Sequence, residues 1–209
     1  MKKISTIVLT ILTVATVYGQ NFEGKITYQN SYKSKNPKMT DQLWTSMMGS
    51  KQEYLIKGGN YKSIANGTLV QWQLYINKDN KLYSKMSNSE KAFWSDASVQ
   101  GDKILKTEIN KGVTKVLGYK CDEVILTCKS GVQKYYFNSA LSVDTKLFAN
   151  HKFGNWFEYL SKSNSLPLKS VIETAQFTMQ SVATEVKPVK LDTKTFELPV
   201  GIKTEKSSY

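Results

Sequence analysis

Residues 117–137, LGYKCDEVILTCKSGVQKYYF, contain two extended runs joined by a short turn. The runs, residues 119–128 and 132–138, are rich in the β-branched and aromatic residues that suit a pleated, half-buried surface. The turn between them ends in Gly131, and glycine is the residue for which a positive φ costs least. We therefore predict that the two runs pair as an antiparallel hairpin.

Both cysteines of the chain, Cys121 and Cys128, fall on the first of these runs. Seven strand steps of ~3.3 Å separate them by roughly 23 Å, far beyond the ~7 Å limit on the Cα separation of a disulfide. The odd number of steps also predicts opposite faces of the strand. We expect no intrachain disulfide, and two alternatives stay open: buried thiols, or an intermolecular bridge through one of them.

The amino terminus has the pattern of a secretory signal. Lys2 and Lys3 precede an apolar run without charge at residues 4–17, and residues 17–19 offer small side chains for cleavage before Gln20. The run is shorter than the ~20 residues that span a bilayer. No cysteine lies directly after it, where a lipid anchor would be attached. We predict a signal peptide at residues 1–19, a mature chain without a transmembrane segment, and a periplasmic or secreted location.

The charge of the chain is strongly positive and is carried by lysine alone. The formal charge of +12 falls to +10 once Lys2 and Lys3 are removed, and the sequence contains no arginine. Base readout and bidentate phosphate recognition draw heavily on arginine, whereas lysine acts as a point charge. The lysines are also spread singly along the chain. This pattern favours a solvated surface and no nucleic-acid partner, with weak attraction to an anionic membrane surface as an open alternative.

Period-two alternation recurs along the chain and predicts about ten strands joined mostly by short turns. Residues 22–29 open the series, Asn66-Gly67 is a strong hairpin signal, and Pro167 begins a closing pair. The further runs are residues 52–57, 61–65, 68–77, 81–86, 104–109, 113–116, 168–173 and 177–187.

Residues 39–49 change to a helical period. Thr40 or Asp41 can cap the start and Gly49 can end it. The apolar face is formed by Met39, Leu43, Trp44, Met47 and Met48. This face either completes a core or acts as an adaptable lid over an apolar ligand. The pattern of residues 155–160 predicts only a short helical turn.

These elements predict a mainly β protein: a curled antiparallel sheet or incomplete β-barrel of about ten strands, covered by one amphipathic helix. A meander of this size twists and must close or be covered. Repeated helices are missing from the pattern, which excludes parallel βαβ construction. We expect a single domain at residues 20–203, followed by a polar tail at residues 204–209.

Three short motifs carry a family resemblance: Leu117-Gly118-Tyr119-x-Cys121, Leu166-Pro167-Leu168, and Phe196-x-Leu198-Pro199-x-Gly201. They resemble a family of uncharacterised exported Gram-negative envelope proteins, which is similar in fold to the LolA/LolB lipoprotein carriers. The resemblance implies an incomplete barrel whose concave side takes acyl chains, with the early helix as a lid. The carriers use an arginine in their lipid cycle, and this chain has none.

The sequence offers little for catalysis. His151 is the only histidine, lies in a predicted loop, and is distant in sequence from both cysteines. A zinc site would require Cys121, Cys128, His151 and a carboxylate, and the predicted strand directs the two cysteines to opposite sides. We therefore predict no catalytic residues, no metal and no cofactor, with a hydrolase based on paired carboxylates as the weakest alternative.

The function that fits these patterns is that of an exported, non-enzymatic binding protein. It would hold a lipid, an acyl chain or another hydrophobic small molecule in the concave face of a half-barrel. The predicted lining consists of Leu43, Trp44, Met47 and Met48 of the helix and Trp72 and Leu74 of the sheet. The alternative is an envelope or secreted protein-interaction module whose core is filled by its own side chains and whose partner is another envelope protein.

Overall fold

The fold is known from a computed structural model, which describes residues 21–208. The predicted signal peptide lies outside the described residues. Two α-helices, α1 (Asp41–Met48) and α2 (Trp156–Ser163), accompany the strands. The strands are β1 (Gly24–Ser34), β2 (Lys51–Lys57), β3 (Asn60–Ala65), β4 (Val70–Ile76), β5 (Lys81–Met86), β6 (Ala92–Asp96), β7 (Ile104–Val116), β8 (Tyr119–Cys128), β9 (Val132–Ser142), β10 (Ser165–Glu173), β11 (Phe177–Pro188) and β12 (Thr204–Lys206).

All of these strands belong to one sheet, in the order β12-β6-β5-β4-β3-β2-β1-β11-β10-β9-β8-β7. The prediction of a mainly β, curled sheet is confirmed, although the described chain has 12 strands and two α-helices where we expected about ten strands and one helix. The predicted hairpin forms from β8 and β9, with Thr127 opposite Val132. Residues 204–206, which we expected in a polar tail, form β12 because their backbone pairs with β6 in parallel.

The main hydrophobic cluster lies on one face of this sheet, and α2 packs into it. Trp156 contacts Tyr54 of β2 and Tyr61 of β3, with ring centroids 6.5 and 6.2 Å away. On the same face of the helix, Tyr159 stacks on Tyr135 of β9, with ring centroids 4.2 Å apart. Strands β3 and β9 lie five places apart in the sheet order. A single short helix reaches both, so the sheet curls around α2.

The sequence of α2 explains why it occupies this position. Trp156, Tyr159, Leu160 and Ser163 recur at helical spacing and form its inward face, of which Tyr159 and Leu160 are fully buried. Asn164 ends the helix in the left-handed region, with φ 49°. The prediction that residues 39–49 supply the helix over the main core was therefore wrong, because Tyr159 and Leu160 of the 156–163 segment belong to the main cluster and fill that place.

Helix α1 lies at the end of β1, beside the loop that joins β3 and β4. Thr40 caps its start by accepting a hydrogen bond from the Leu43 backbone N–H at 3.0 Å. At its other end the carbonyl groups of Ser46 and Met47 accept hydrogen bonds from the backbone N–H groups of Thr68 and Leu69. The Asn66-Gly67 segment, predicted as a hairpin turn, therefore also belongs to a loop that holds the carboxyl end of α1.

A second, smaller cluster covers the opposite face of the sheet. Its buried members are Leu74, Tyr83 and Phe196. On β4, Tyr75 belongs to the main cluster while its neighbour Leu74 belongs to the second one, as the alternation of side chains along a strand requires. Phe196 lies in a 3-10 turn at residues 193–196, so the carboxyl-terminal segment covers this face.

Cys121 and Cys128 are both free and buried, and they form no disulfide, as expected from their spacing. The prediction that they lie on opposite faces was wrong, because both belong to the main cluster. Between the two cysteines on β8, the adjacent residues Glu123 and Val124 are both buried. Alternation of burial is therefore interrupted between the two cysteines, opposite a register shift in β7.

Candidate ligand-binding site

Two adjoining cavities open on the face of the sheet that carries the main cluster. The first has a volume of about 210 Å³ and the second about 230 Å³. Gln52 and Met179 line both cavities. We call the two together the concave hollow.

The concave hollow runs from the first residue of α2 to the last residue of α1, since Trp156 lines the first cavity and Met48 the second. The first cavity is lined by Tyr28, Gln52, Tyr54, Tyr135, Trp156, Pro167, Ser170, Ile172, Met179 and Ser181. The second is lined by Asn30, Tyr32, Met48, Gln52, Ser63, Ala65, Val70, Gln73 and Met179. None of these lining residues is charged.

Four polar residues that line the hollow bond to one another. Gln52 donates to the Ser63 hydroxyl at 2.8 Å, and the Asn30 amide donates to Gln52 at 3.4 Å. Ser181 in turn donates to the amide oxygen of Asn30. These four side chains are therefore hydrogen-bonded within the chain.

Two polar groups at the first cavity are not paired. The hydroxyl of Tyr54 and the indole Nε1 of Trp156 are buried and have no hydrogen-bond partner among the described residues. Burial raises the pKa of Tyr54 well above its ordinary value, so the hydroxyl keeps its proton. By contrast Tyr28, which lines the same cavity, donates to the Pro167 carbonyl at 2.7 Å. An unmet buried donor costs ~1–3 kcal/mol, and a bound acceptor would remove that cost.

The structure separates the residues that we predicted as a common lining. Of the four predicted helix residues, Met48 lines the second cavity. Met47 is half-buried and Leu43 is 43 % exposed. Trp44 packs on Phe177, with ring centroids 4.4 Å apart. These residues lie at or near one end of the hollow.

Trp72 and Leu74 belong to the second cluster on the other face of the sheet. Since side chains alternate along β4, it is Gln73 between them that reaches the hollow. The six predicted residues therefore do not form one surface.

Tyr54 and Trp156 were not among the residues predicted to bind. Tyr54 lies on β2, where it and Ile56 are the two buried residues of the strand. The helical spacing of Trp156, Tyr159 and Leu160 is the signal that would have placed Trp156 on the inward side of a helix.

His151, which we expected in a surface or loop position, is 1 % exposed. Its Nε2 atom lies 2.8 Å from the Tyr61 hydroxyl, and its ring packs on Tyr75 with centroids 4.2 Å apart. Burial lowers the pKa of His151 to about 4. These contacts are those of a neutral imidazole packed within the core, and its Nδ1 atom has no hydrogen-bond partner among the described residues.

Within residues 21–208, no group of three or more His, Cys, Asp or Glu side chains is placed to hold a metal ion. In the same part of the chain, no helix combines the length and the apolar character needed to cross a membrane.

Comparison with known proteins gives a distant structural neighbour. No family model matches the chain, and no curated protein matches it either. A solved structure titled "Structure of PNGF-II in P21 space group" superposes with a TM-score of 0.49 at 15% identity, covering 89% of this chain and 32% of that one. The chain thus spans about a third of the length of that neighbour.

Proposed function

We propose that this chain is a non-enzymatic binding protein that holds a lipid, an acyl chain or another apolar small molecule in the concave hollow. The observation that carries the proposal is the lining, in which aromatic and aliphatic side chains predominate and no residue is charged. Pockets for small molecules are typically concave and mostly apolar, with a few polar groups that fix the orientation. The concave hollow has this composition.

The dimensions favour an elongated ligand. Ligand pockets usually measure roughly 300–1,000 Å³, and each cavity, at about 210 and 230 Å³, is smaller than this range. The two reach it only together. A ligand of ordinary size therefore extends through both, past Gln52 and Met179, from Trp156 towards Met48.

The same proposal includes membership of the exported envelope family with a LolA/LolB-like fold, and a periplasmic or secreted location. The resemblance implies an incomplete antiparallel barrel with the early helix as its lid. The open, curled sheet supports the first part of this expectation, whereas the helix that packs into the main cluster is α2. Pro167 of the Leu166-Pro167-Leu168 motif lines the hollow. Since the chain has no arginine, the proposal does not extend to the arginine-dependent lipoprotein cycle of those carriers.

A protein-interaction module is the second candidate, and one observation favours it. Strand β7 is the last strand of the sheet, and its Leu105, Ile109 and Val113 are 62, 46 and 45 % exposed. An exposed sheet edge of this kind can pair with a strand of another chain. For a hydrolase the hollow offers no carboxylate among its lining residues.

Extraction and dye binding distinguish the two candidates. Protein purified without detergent is denatured and extracted, and the extract is analysed by mass spectrometry. In parallel, the protein is titrated with 1,6-diphenylhexatriene, a hydrocarbon dye that fluoresces in apolar surroundings. We expect an extractable apolar molecule or dye fluorescence that Ser170→Phe removes, because the added ring fills the first cavity.

Ser139→Phe is the matched control, because Ser139 is exposed and lies on β9 away from the hollow. Met179→Trp, which blocks the junction of the two cavities, replaces Ser170→Phe if that variant unfolds. A folded wild-type protein that yields no apolar molecule and binds no dye would overturn the proposal and favour the interaction module.

A further inference from the structure

We infer that the ligand of the concave hollow is an uncharged molecule with an oxygen acceptor, such as an ester or amide carbonyl, to which the Tyr54 hydroxyl and the Trp156 indole N–H both donate. The inference rests on the proposed function, because it concerns the same hollow. It adds the chemical class of the ligand and the place where its polar group lies.

The first argument is that Tyr54 differs from the other buried tyrosines at this face. Tyr54 is 8 % exposed and its hydroxyl has no partner in the described chain. Tyr28 and Tyr159 donate to backbone carbonyls at 2.7 Å, and Tyr61 bonds to His151 at 2.8 Å. Buried polar groups are nearly always hydrogen-bonded, so an exception that lines a cavity points to a missing partner.

The second argument is that the two residues with unmet groups lie close together. Tyr54 and Trp156 line the same cavity, and their ring centroids are 6.5 Å apart. An indole N–H can only donate, and the Tyr54 hydroxyl is also free to donate. A carbonyl oxygen has two lone pairs and can accept from both. The ligand group that satisfies this pair is therefore an acceptor.

The third argument concerns charge. None of the residues that line the hollow is charged, so no lysine is there to balance an anion. Moving a carboxylate out of water without a counter-charge is strongly unfavourable. Burial also keeps the Tyr54 hydroxyl protonated, since it raises the pKa of that group well above its ordinary value. A neutral acceptor therefore fits this hollow better than the carboxylate of a free fatty acid.

Several other polar groups of the hollow are already bonded within the chain. Gln52 is engaged with Ser63 and Asn30, and the Ser181 hydroxyl donates to Asn30. Tyr28 is engaged with the Pro167 carbonyl. Among the buried groups with no partner in residues 21–208, Tyr54 and Trp156 are the two that line the hollow. They lie at its Trp156 end, and the apolar part of the ligand extends towards Met48 at the other end.

The test compares two probes with the same chain length, monomyristoylglycerol and myristate, as competitors of bound diphenylhexatriene at pH 8.5. The first probe is a neutral ester and the second an anion. We expect the wild-type protein to bind the ester at least roughly tenfold more tightly, because the carboxylate loses its hydration without a cation in exchange.

Tyr54→Phe and Trp156→Phe each remove one donor. We expect each to weaken binding of the ester by roughly three- to tenfold, which is the range for one hydrogen bond. The dye has no acceptor atom, so its affinity should hardly change in Tyr54→Phe. The melting temperature of Tyr54→Phe should not fall, because its hydroxyl bonds to nothing in the described chain. Tyr83→Phe is the matched control on the opposite face.

The outcomes separate this inference from the proposed function. Equal affinity for ester and anion, or an unchanged ester affinity in Tyr54→Phe, would overturn the inference while dye binding still supports the hollow as a site. Failure of the wild-type protein to bind dye and ester alike would overturn both. If Trp156→Phe unfolds, Tyr54→Phe decides the result alone.

Discussion

The Nε2 atom of His151 lies 2.8 Å from the hydroxyl oxygen of Tyr61, and both side chains are buried. The imidazole ring also packs against Tyr75. Protonation would place a charge inside this aromatic group, and burial accordingly lowers the pKa of His151 to about 4. The stability of the fold should therefore depend on pH through this one side chain.

We expect the free energy of unfolding to decrease as the pH falls below about 6.5. The unfolded chain binds a proton at His151 with a pKa near 6.5, whereas the folded chain does so only at about 4. Stability is therefore complete above the unfolded pKa and is lost as the pH falls towards the folded one. Between pH 7.5 and 5.5 the loss should be about 1.3 kcal/mol, as measured by urea unfolding.

His151→Gln is the control for this experiment, because an amide can still bond to the Tyr61 hydroxyl but does not titrate. The range stops at pH 5.5, since Asp122, whose pKa is lowered by the hydrogen bond from Lys111, adds its own dependence in more acidic solution. An equal slope in the wild-type protein and in His151→Gln would contradict the assignment.

The two cysteines should react slowly in the folded protein. Burial raises the pKa of Cys121 and of Cys128, and the thiolate is the reactive form. We expect alkylation by iodoacetamide at pH 8 to be roughly tenfold or more slower in the native state than in guanidinium chloride. Mass spectrometry of peptides reports each site, and rapid alkylation of either native thiol would show that it is not buried.

Gly67 should be required for the docking of α1. A Cβ atom at this position would lie 2.6 Å from the Gly49 nitrogen and would overlap the Met47 carbonyl. We expect Gly67→Ala to destabilise the protein by ~1–3 kcal/mol. It should also accelerate amide hydrogen exchange in α1, whose last carbonyls the same loop caps. Gly101→Ala, where the added methyl group meets open space, should change neither quantity.

Phe196 should stabilise the fold without contributing to the hollow. It is 5 % exposed and packs with Leu74 on the opposite face. We expect Phe196→Ala to cost about 3 kcal/mol of stability and to leave diphenylhexatriene affinity unchanged. The control is Val200→Ala, because Val200 is fully exposed. Loss of dye binding in a folded Phe196→Ala variant would instead place the ligand near Trp72 and Leu74.

Local sequence patterns are sufficient to predict the strands. They do not predict which helix packs into the main cluster. The hairpin of β8 and β9 follows from residue type and one glycine, which act over short distances. By contrast, residues 41–48 and 156–163 both have apolar side chains at helical spacing. Which of them packs into the main cluster depends on contacts with strands distant in sequence, such as those of Trp156 with β2 and β3.

The alternation along β4 correctly predicts that Trp72 and Leu74 share one face of the sheet. A period of two cannot tell which of the two faces looks towards the hollow. That depends on the carboxyl-terminal segment, which places Phe196 over Leu74. The burial of His151 was missed for a similar reason, because its partners Tyr61 and Tyr75 come from strands β3 and β4.

The uncharged lining of the hollow has a further consequence, because the chain is rich in lysine and no lysine of residues 21–208 is in that lining. Salt screens attraction between exposed charges over ~10 Å at 0.1 M ionic strength but has little effect on contacts between neutral groups. Raising the ionic strength should therefore weaken any attraction of the lysines to an anionic surface and leave binding of the proposed uncharged ligand unchanged, so that the two kinds of association can be measured separately.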